Sequence, residues 1–121
     1  MDLRKVTDAL RAIRSPRPQD EYDLHGLTAE ALQEADISFI HEAPLAPRCR
    51  VDFLCEDVGI EIKKGRPRSA VLRSQLCRYL DGTPLRAVIL VSQLPCTLPE
   101  EICGKRVYTV SLNRLWGVAL H

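Results

Sequence analysis

The sequence predicts an α/β fold with a mixed central sheet flanked by helices. Residues 51–64 contain two short apolar runs on either side of an acidic turn, which is typical of an antiparallel hairpin. Residues 69–80 carry apolar side chains at helical spacing. Residues 85–92 form a continuous apolar run, as expected of a buried strand that pairs in parallel after a helical crossover.

The chain has 121 residues, which predicts a single domain spanning 1–121. It contains no apolar run long enough to span a bilayer and no leader-like segment, so we expect a cytoplasmic, intracellular protein without a membrane partner. The five cysteines fit small buried thiols in a reducing compartment. Since no Cys-x-x-Cys pair occurs, zinc and iron–sulfur ligation are not expected.

Charge is segregated along the chain although the net charge is only +1. Residues 19–46 contain seven acidic residues and no Lys or Arg, whereas residues 47–80 contain eight basic and four acidic residues. The near-neutral total argues against a protein that coats nucleic acid generally. A basic zone beside an acidic cluster instead suits a phosphodiester substrate, because the cations would hold the backbone and the acids a metal ion.

The N-terminal part is predicted to form two helices and a strand. Residues 3–14 read as an amphipathic helix that packs on the core or on a second subunit, or presents its basic face to nucleic acid. Residues 20–35 form the second predicted helix, on which Glu21 and His25 share a face. Residues 37–43 are predicted as a strand that ends at the next proline.

The predicted hairpin carries the candidate site. On its second strand Glu61 and Lys63 lie on one face, because apolar residues occupy the alternate positions. A hairpin register could place Asp52 of the first strand beside both. Two converging carboxylates are costly to bury unless a cation neutralises them, and oxygen ligands of this kind suit Mg2+ or Mn2+.

The C-terminal part begins with a basic loop that leads into the predicted helix 69–80. After the buried strand, residues 94–99 form a proline-marked loop and residues 106–112 an alternating strand. Residues 113–120, with Trp116, are predicted as a short terminal segment.

Asp52, separated by eight residues from Glu61-Ile62-Lys63, resembles the motif of the PD-(D/E)XK nuclease superfamily. The resemblance implies a restriction-endonuclease-like αβββαβ core over about residues 20–92. Residues 1–18 would then be an N-terminal helical extension, and residues 93–121 a C-terminal strand and short terminal segment. The sequence departs from the superfamily pattern in one respect, since Val51 stands where a proline often precedes the aspartate.

Gln75 and Tyr79 are four residues apart and therefore share a face of the predicted helix. The pair resembles the Gln-x-x-x-Tyr element of RecB-like nucleases, although Tyr79 could equally be a core residue with Gln75 at its rim. In RecB-like members a glutamate on the first helix often joins the metal site. By position that residue would be Glu21, whose charge has the alternative explanation of stabilising the helix N-terminus.

The resemblance implies an Mg2+- or Mn2+-dependent deoxyribonuclease. Its metal ligands would be the side chains of Glu21, Asp52 and Glu61 with the carbonyl of Ile62. Its catalytic residues would be Asp52, Glu61, Lys63, Gln75 and Tyr79. The DNA backbone would be held by the basic side chains that follow the hairpin, namely Lys64, Arg66, Arg68, Arg73 and Arg78.

Three alternatives to a RecB-like monomeric nuclease remain open from the sequence. A homodimeric endonuclease similar to Holliday-junction resolvases would act on branched DNA, whereas a RecB-like monomer would act on single strands or duplex ends. A non-catalytic nucleic-acid-binding module could keep the same fold. The motif could also have arisen by chance in an unrelated α/β domain.

Overall fold

The computed structural model describes residues 1–14, 20–65 and 68–112, and within these ranges the protein forms three helices and one six-stranded sheet. The elements are α1 (Leu3–Arg11), α2 (Glu21–Glu34), β1 (Ile40–Ala46), β2 (Cys49–Cys55), β3 (Val58–Lys63), α3 (Ser69–Leu80), β4 (Ala87–Ser92), β5 (Glu101–Ile102) and β6 (Lys105–Ser111). The strand order is β1-β2-β3-β4-β6-β5. Strands β1, β2 and β3 are antiparallel, whereas β3, β4 and β6 run parallel. The predicted α/β class with a mixed sheet between helices is confirmed.

Helices cover both faces of the sheet, and β4 shows how the two faces are divided. Every residue of β4 is buried. Ile89 and Val91 pack in the cluster that includes α1 and α2, whereas Val88 and Leu90 pack in the cluster that includes α3. The apolar run is therefore continuous because the strand is covered on both sides. No helix in the described ranges is long and apolar enough to cross a bilayer.

Helix α1 packs on the core, which is one of the three arrangements that the sequence left open for it. Val6 and Leu10 are fully buried in the cluster shared with α2. Asp2 caps the helix by accepting hydrogen bonds from the backbone N–H groups of residues 4 and 5. The helix ends at Arg11, three residues earlier than predicted.

Helix α2 and strand β1 meet at a Schellman turn that the sequence prediction missed. Asp36 has a left-handed backbone with φ of 57°, and the N–H of Ile37 donates to the carbonyl of Leu32 at 2.9 Å. Ile37 consequently packs in the core as part of the helix end. The strand begins at Ile40, so the prediction of a strand from residue 37 is wrong for its first three residues.

Strand β1 also continues through Pro44, where the sequence predicted its end. The strand lies at the edge of the sheet, so the missing N–H of proline can be accommodated. The register with β2 shifts between Pro44 and Ala46. Pro44 therefore lies within an irregular edge strand and does not mark a strand boundary.

The sheet extends beyond the predicted core of residues 20–92. Strand β6 confirms the predicted strand at 106–112 within one residue and pairs in parallel with β4. Strand β5 has only two residues and was not predicted. The predicted terminal segment with Trp116 lies outside the described residues.

The cysteines differ from the expectation of free thiols. Cys77 on α3 and Cys103, between β5 and β6, form a disulfide. Cys49, Cys55 and Cys96 are free. Burial raises the pKa of the Cys55 thiol to about 11, so this side chain behaves as a small apolar group.

Candidate active site

The candidate site lies where the ladder between β2 and β3 stops. Backbone pairing covers three residue pairs and ends with Phe53 opposite Ile60. Beyond it, the N–H of Asp52 donates to Glu61 Oε1 at 3.3 Å, and the N–H of Ile62 donates to Asp52 Oδ2 at 2.7 Å. Two carboxylates thus replace strand-to-strand hydrogen bonds. The predicted register, with Asp52 beside Glu61, is confirmed.

Three further side chains contact the second carboxylate oxygen of Glu61. Tyr79 donates its hydroxyl to Oε2 at 3.0 Å, and Gln75 Nε2 donates to the same oxygen at 3.3 Å. Gln75 Nε2 also donates to the Tyr79 hydroxyl oxygen at 2.8 Å, so the two α3 residues reach β3 as one unit. Lys63 Nζ lies 3.6 Å from the same Oε2. The five predicted catalytic side chains therefore meet at one place.

Burial changes the ionisation of this group. Glu61 is only 3% exposed, and this burial, together with the charge of Asp52, raises its pKa to about 7 despite the opposing effects of Lys63 and Tyr79. Burial and the Glu61 carboxyl raise the pKa of the Tyr79 hydroxyl above its usual range. Tyr79 consequently remains a donor at neutral pH. The pocket lacks enough positive charge to keep Glu61 fully ionised, which favours binding of a cation.

His25 on α2 approaches Asp52 from the other helical layer. Its Nε2 lies 3.7 Å from Asp52 Oδ2, and its Nδ1 lies 2.8 Å from Nε2 of His41 on β1. The His41 ring stacks on Phe53 with 4.7 Å between ring centroids. One nitrogen of the histidine pair must carry a proton, so His25 can orient Asp52 while His41 orients His25.

Glu21, the predicted metal ligand on α2, is not in contact with the two carboxylates. It is exposed, one helical turn before His25, and its carboxylate makes no hydrogen bond or ion pair with a described residue. It lines a surface pocket with His25 and His41. On α2, His25 and not Glu21 therefore lies beside Asp52.

The donor set fits a hard divalent cation held by few protein ligands. In the part of the chain that the structure describes, no three His, Cys, Asp or Glu side chains are grouped to hold a metal ion. Mg2+, however, is commonly bound through one or two carboxylates, with water and substrate oxygens completing the octahedron. Asp52 and Glu61 supply two such carboxylates, and the Ile62 backbone lies against them.

Most of the predicted DNA-binding residues are exposed to solvent. Lys64, Arg68, Arg73 and Arg78 are all exposed, whereas Arg66 lies outside the described residues. Their charged groups form no salt bridge within the described part of the chain. These cations are consequently available to a ligand.

Sequence reasoning missed three residues of this region. His41 faces Phe53 across the β1–β2 ladder, and Arg48 and Arg50 line a cleft with Tyr79. Arg50 could have been found, because it precedes Asp52 by two residues and shares its face of the strand. The other two depend on how β1 pairs with β2, which no local pattern specified.

Compared with known proteins, the chain matches no family model, no curated protein and no solved structure.

Proposed function

We propose that this protein is a divalent-metal-dependent DNA nuclease of the PD-(D/E)XK type, similar to RecB-like nucleases, which hydrolyses phosphodiester bonds. Support comes chiefly from the convergence of Lys63, Gln75 and Tyr79 on one oxygen of Glu61. The other oxygen accepts a hydrogen bond from the backbone N–H of Asp52. The order of helix, three strands, helix and strand from α2 to β4 is also what the resemblance implies.

Asp52 and Glu61, with the carbonyl of Ile62, would hold Mg2+ or Mn2+. A bound ion of this kind polarises a phosphoryl oxygen and lowers the pKa of a bound water. The raised pKa of Glu61, about 7, supports this role because a positive charge beside the carboxylates would favour their ionised forms.

Lys63 is suited to a charge that develops on the phosphate. Its side chain is 27% exposed, whereas that of Glu61 is 5% exposed, so the ammonium lies between the buried carboxylate and solvent. A cation positioned there would stabilise the additional negative charge of the transition state. Tyr79 and Gln75 are assigned as positioning residues, since their donors hold Glu61 Oε2 in place.

Cleavage assays test this proposal. Wild type, Lys63→Ala and Asp52→Asn are incubated with single-stranded, duplex and branched DNA in Mn2+, in Mg2+ and in EDTA. We expect metal-dependent cleavage by wild type and a loss of about 100-fold or more in each variant, as is typical when a group that stabilises developing charge is removed. Lys5→Ala on α1 is the matched control, because it removes the same charge from an exposed position on another element. Equal activity of Lys63→Ala and Lys5→Ala would contradict the role of Lys63.

A binding module without catalysis is the second candidate, and it is favoured by exposed cations such as Lys64 and Arg78, which form no salt bridge with a described residue. Such a protein would bind DNA equally well in EDTA and in Mn2+. Wild type would then produce no strand scission on any of the three substrates. Metal-dependent scission that is lost in Asp52→Asn would eliminate this candidate.

A further inference from the structure

A cleft separates the β1–β2 connection from α3, on the face of the sheet that carries Glu61. Its volume is about 760 Å³. Three arginines line it, one each from the β1–β2 turn, β2 and α3, together with two cysteines and a tyrosine, namely Arg48, Arg50, Arg78, Cys49, Cys77 and Tyr79. Arg48 and Arg50 have no role in the candidate active site.

The arginines of this cleft are not neutralised within the described part of the chain. Arg48, Arg50 and Arg78 are all exposed and none forms a salt bridge with a described residue. Asp81, also exposed, is the acidic residue among those that line the cleft. Three guanidinium groups around one cleft match phosphate oxygens, which a guanidinium can bind in a bidentate fashion.

The cleft is continuous with the candidate active site. Tyr79 contributes to the cleft wall and donates its hydroxyl to Glu61 Oε2 at 3.0 Å. Along β2 the buried residues alternate with Arg50 and Asp52, so these two residues share the α3 face, with their Cα atoms about 6.6 Å apart. A strand of phosphates that lies across Arg50 therefore leads to the two carboxylates.

We propose that this arginine cleft binds the sugar–phosphate backbone of a single nucleic-acid strand, immediately beside the phosphate that the site cleaves. The position of the cut phosphate rests on the proposed nuclease function, whereas strand binding by the cleft does not. The volume is within the range of small-ligand pockets, roughly 300–1,000 Å³, which suits a few nucleotides of one strand and not a duplex.

Binding is tested in EDTA with a fluorescein-labelled oligo-dT of about 12 nucleotides and with a duplex of the same length. The cleft variant is Arg48→Ala/Arg50→Ala/Arg78→Ala. Its matched control is Arg4→Ala/Lys5→Ala/Arg11→Ala, which removes three exposed cations from α1, a helix that packs in the other core cluster. Fluorescence anisotropy gives Kd from about 50 to 200 mM salt, the range over which phosphate contacts weaken measurably.

We expect the cleft variant to bind the single strand about tenfold or more weakly, because three phosphate contacts are removed. The slope of log K against log salt becomes shallower by about 2, since each contact to a single strand contributes about 0.7. The α1 variant changes neither quantity comparably. Equal losses in the two variants, or wild-type preference for the duplex, would overturn the assignment.

Cleavage by the same proteins separates this inference from the proposed function. If wild type binds the strand through the arginines but never cuts it with Mn2+ or Mg2+, the nuclease proposal fails and the cleft assignment stands. If wild type cuts DNA and the cleft variant retains its affinity and salt dependence, the cleft assignment fails alone. Unchanged thermal unfolding of the cleft variant shows that its fold is intact, because all three side chains are exposed.

Discussion

Glu61 occupies a position where burial of a charged carboxylate costs free energy. It lies on a central strand, almost fully buried, with Asp52 close enough to repel it. Tyr79, Gln75 and the N–H of Asp52 each donate a hydrogen bond, which offsets part of the cost of removing the charge from water. The part of this cost that the hydrogen bonds do not offset raises the pKa of Glu61 to about 7. Such arrangements are typical of functional sites, where stability is given up for chemistry.

This pKa predicts a pH dependence of stability in EDTA. The folded value of about 7 exceeds the ordinary value of 4.5, so the folded protein holds more protons between these pH values. The free energy of unfolding should therefore fall as pH rises from about 4.5 to about 7, by roughly 1–3 kcal/mol from this group. Glu61→Gln should remove this dependence and be more stable than wild type at pH 8. Urea unfolding at pH 5 and pH 8 measures both.

Glu30→Gln is the control for this measurement, because Glu30 is exposed on α2 and its substitution removes the same charge. It should retain the wild-type dependence of stability on pH. A Glu61→Gln protein with the same dependence as wild type would refute the assignment of the raised pKa to Glu61.

At the residue scale, the sequence predicted contacts that follow from periodicity. Alternation along β3 placed Glu61 beside Lys63, and helical spacing placed Gln75 beside Tyr79. The alternative view of Tyr79 as a core residue is partly correct as well, since its ring is buried while its hydroxyl reaches Glu61. His41 could not be predicted, because its contact with His25 requires both the rotation of α2 and the register of an irregular edge strand.

At the element scale, β3 depends on a close approach at Gly59. A Cβ at this position would lie 3.0 Å from Leu85 Cδ1 and 3.1 Å from Val51 Cγ2, and both neighbours are buried. Because Val51 is β-branched and stiff, the contact cannot relax freely. The absence of a side chain at Gly59 thus lets β3 pack closely against β2 and against Leu85, two residues before β4.

Gly59→Ala should lower the free energy of unfolding by about 1–3 kcal/mol, as overpacking of a core usually does. Gly26→Ala is the matched substitution, since Gly26 lies within α2 and an added Cβ meets nothing within 4 Å. It should raise stability by about 0.5–1 kcal/mol through helix propensity. Urea unfolding measures the stability of both variants. A Gly59→Ala protein as stable as Gly26→Ala would contradict the prediction, because Leu85 and Val51 would then have moved to accommodate the added methyl group.

Elements were predictable where local patterns were strong and agreed with the packing. The predicted helix 69–80 coincides with α3, and the continuous apolar run became the doubly covered strand β4. Boundaries set by particular turns were missed, as at Asp36, whose left-handed backbone ends α2 and delays β1. Strand β5 was missed because two residues are too few to show an alternation of apolar and polar side chains. The strand is defined by its pairing with β6.

At the scale of the whole molecule, the disulfide joins two regions that no backbone ladder connects. Cys77 lies in the last turn of α3, and Cys103 lies at the turn between β5 and β6. The bond closes a segment with a sequence separation of 26 residues that includes β4. It therefore limits how far α3 can separate from the sheet edge beyond β4.

Cys77→Ser/Cys103→Ser should be less stable than the oxidised wild type by about 3.5 kcal/mol, the value expected for a loop of this length. Thermal unfolding with and without dithiothreitol measures the effect, and thiol titration reports whether the bond is formed. Cys96→Ser, which changes a free cysteine, should retain the wild-type response to dithiothreitol. A wild-type melting temperature that is insensitive to the reductant would contradict this prediction.

The irregular edge strand β1 has a consequence for self-association. An exposed, regular outer strand offers unpaired N–H and C=O groups on which another chain can add. Here Pro44 provides no N–H, Glu42 has a left-handed backbone with φ of 53°, and the ladder shifts after Pro44. On the opposite margin β5 is only two residues long. Neither edge strand is therefore suited to pairing with a strand of another molecule. A second copy that binds this protein would do so through side-chain surfaces and not by extending the sheet.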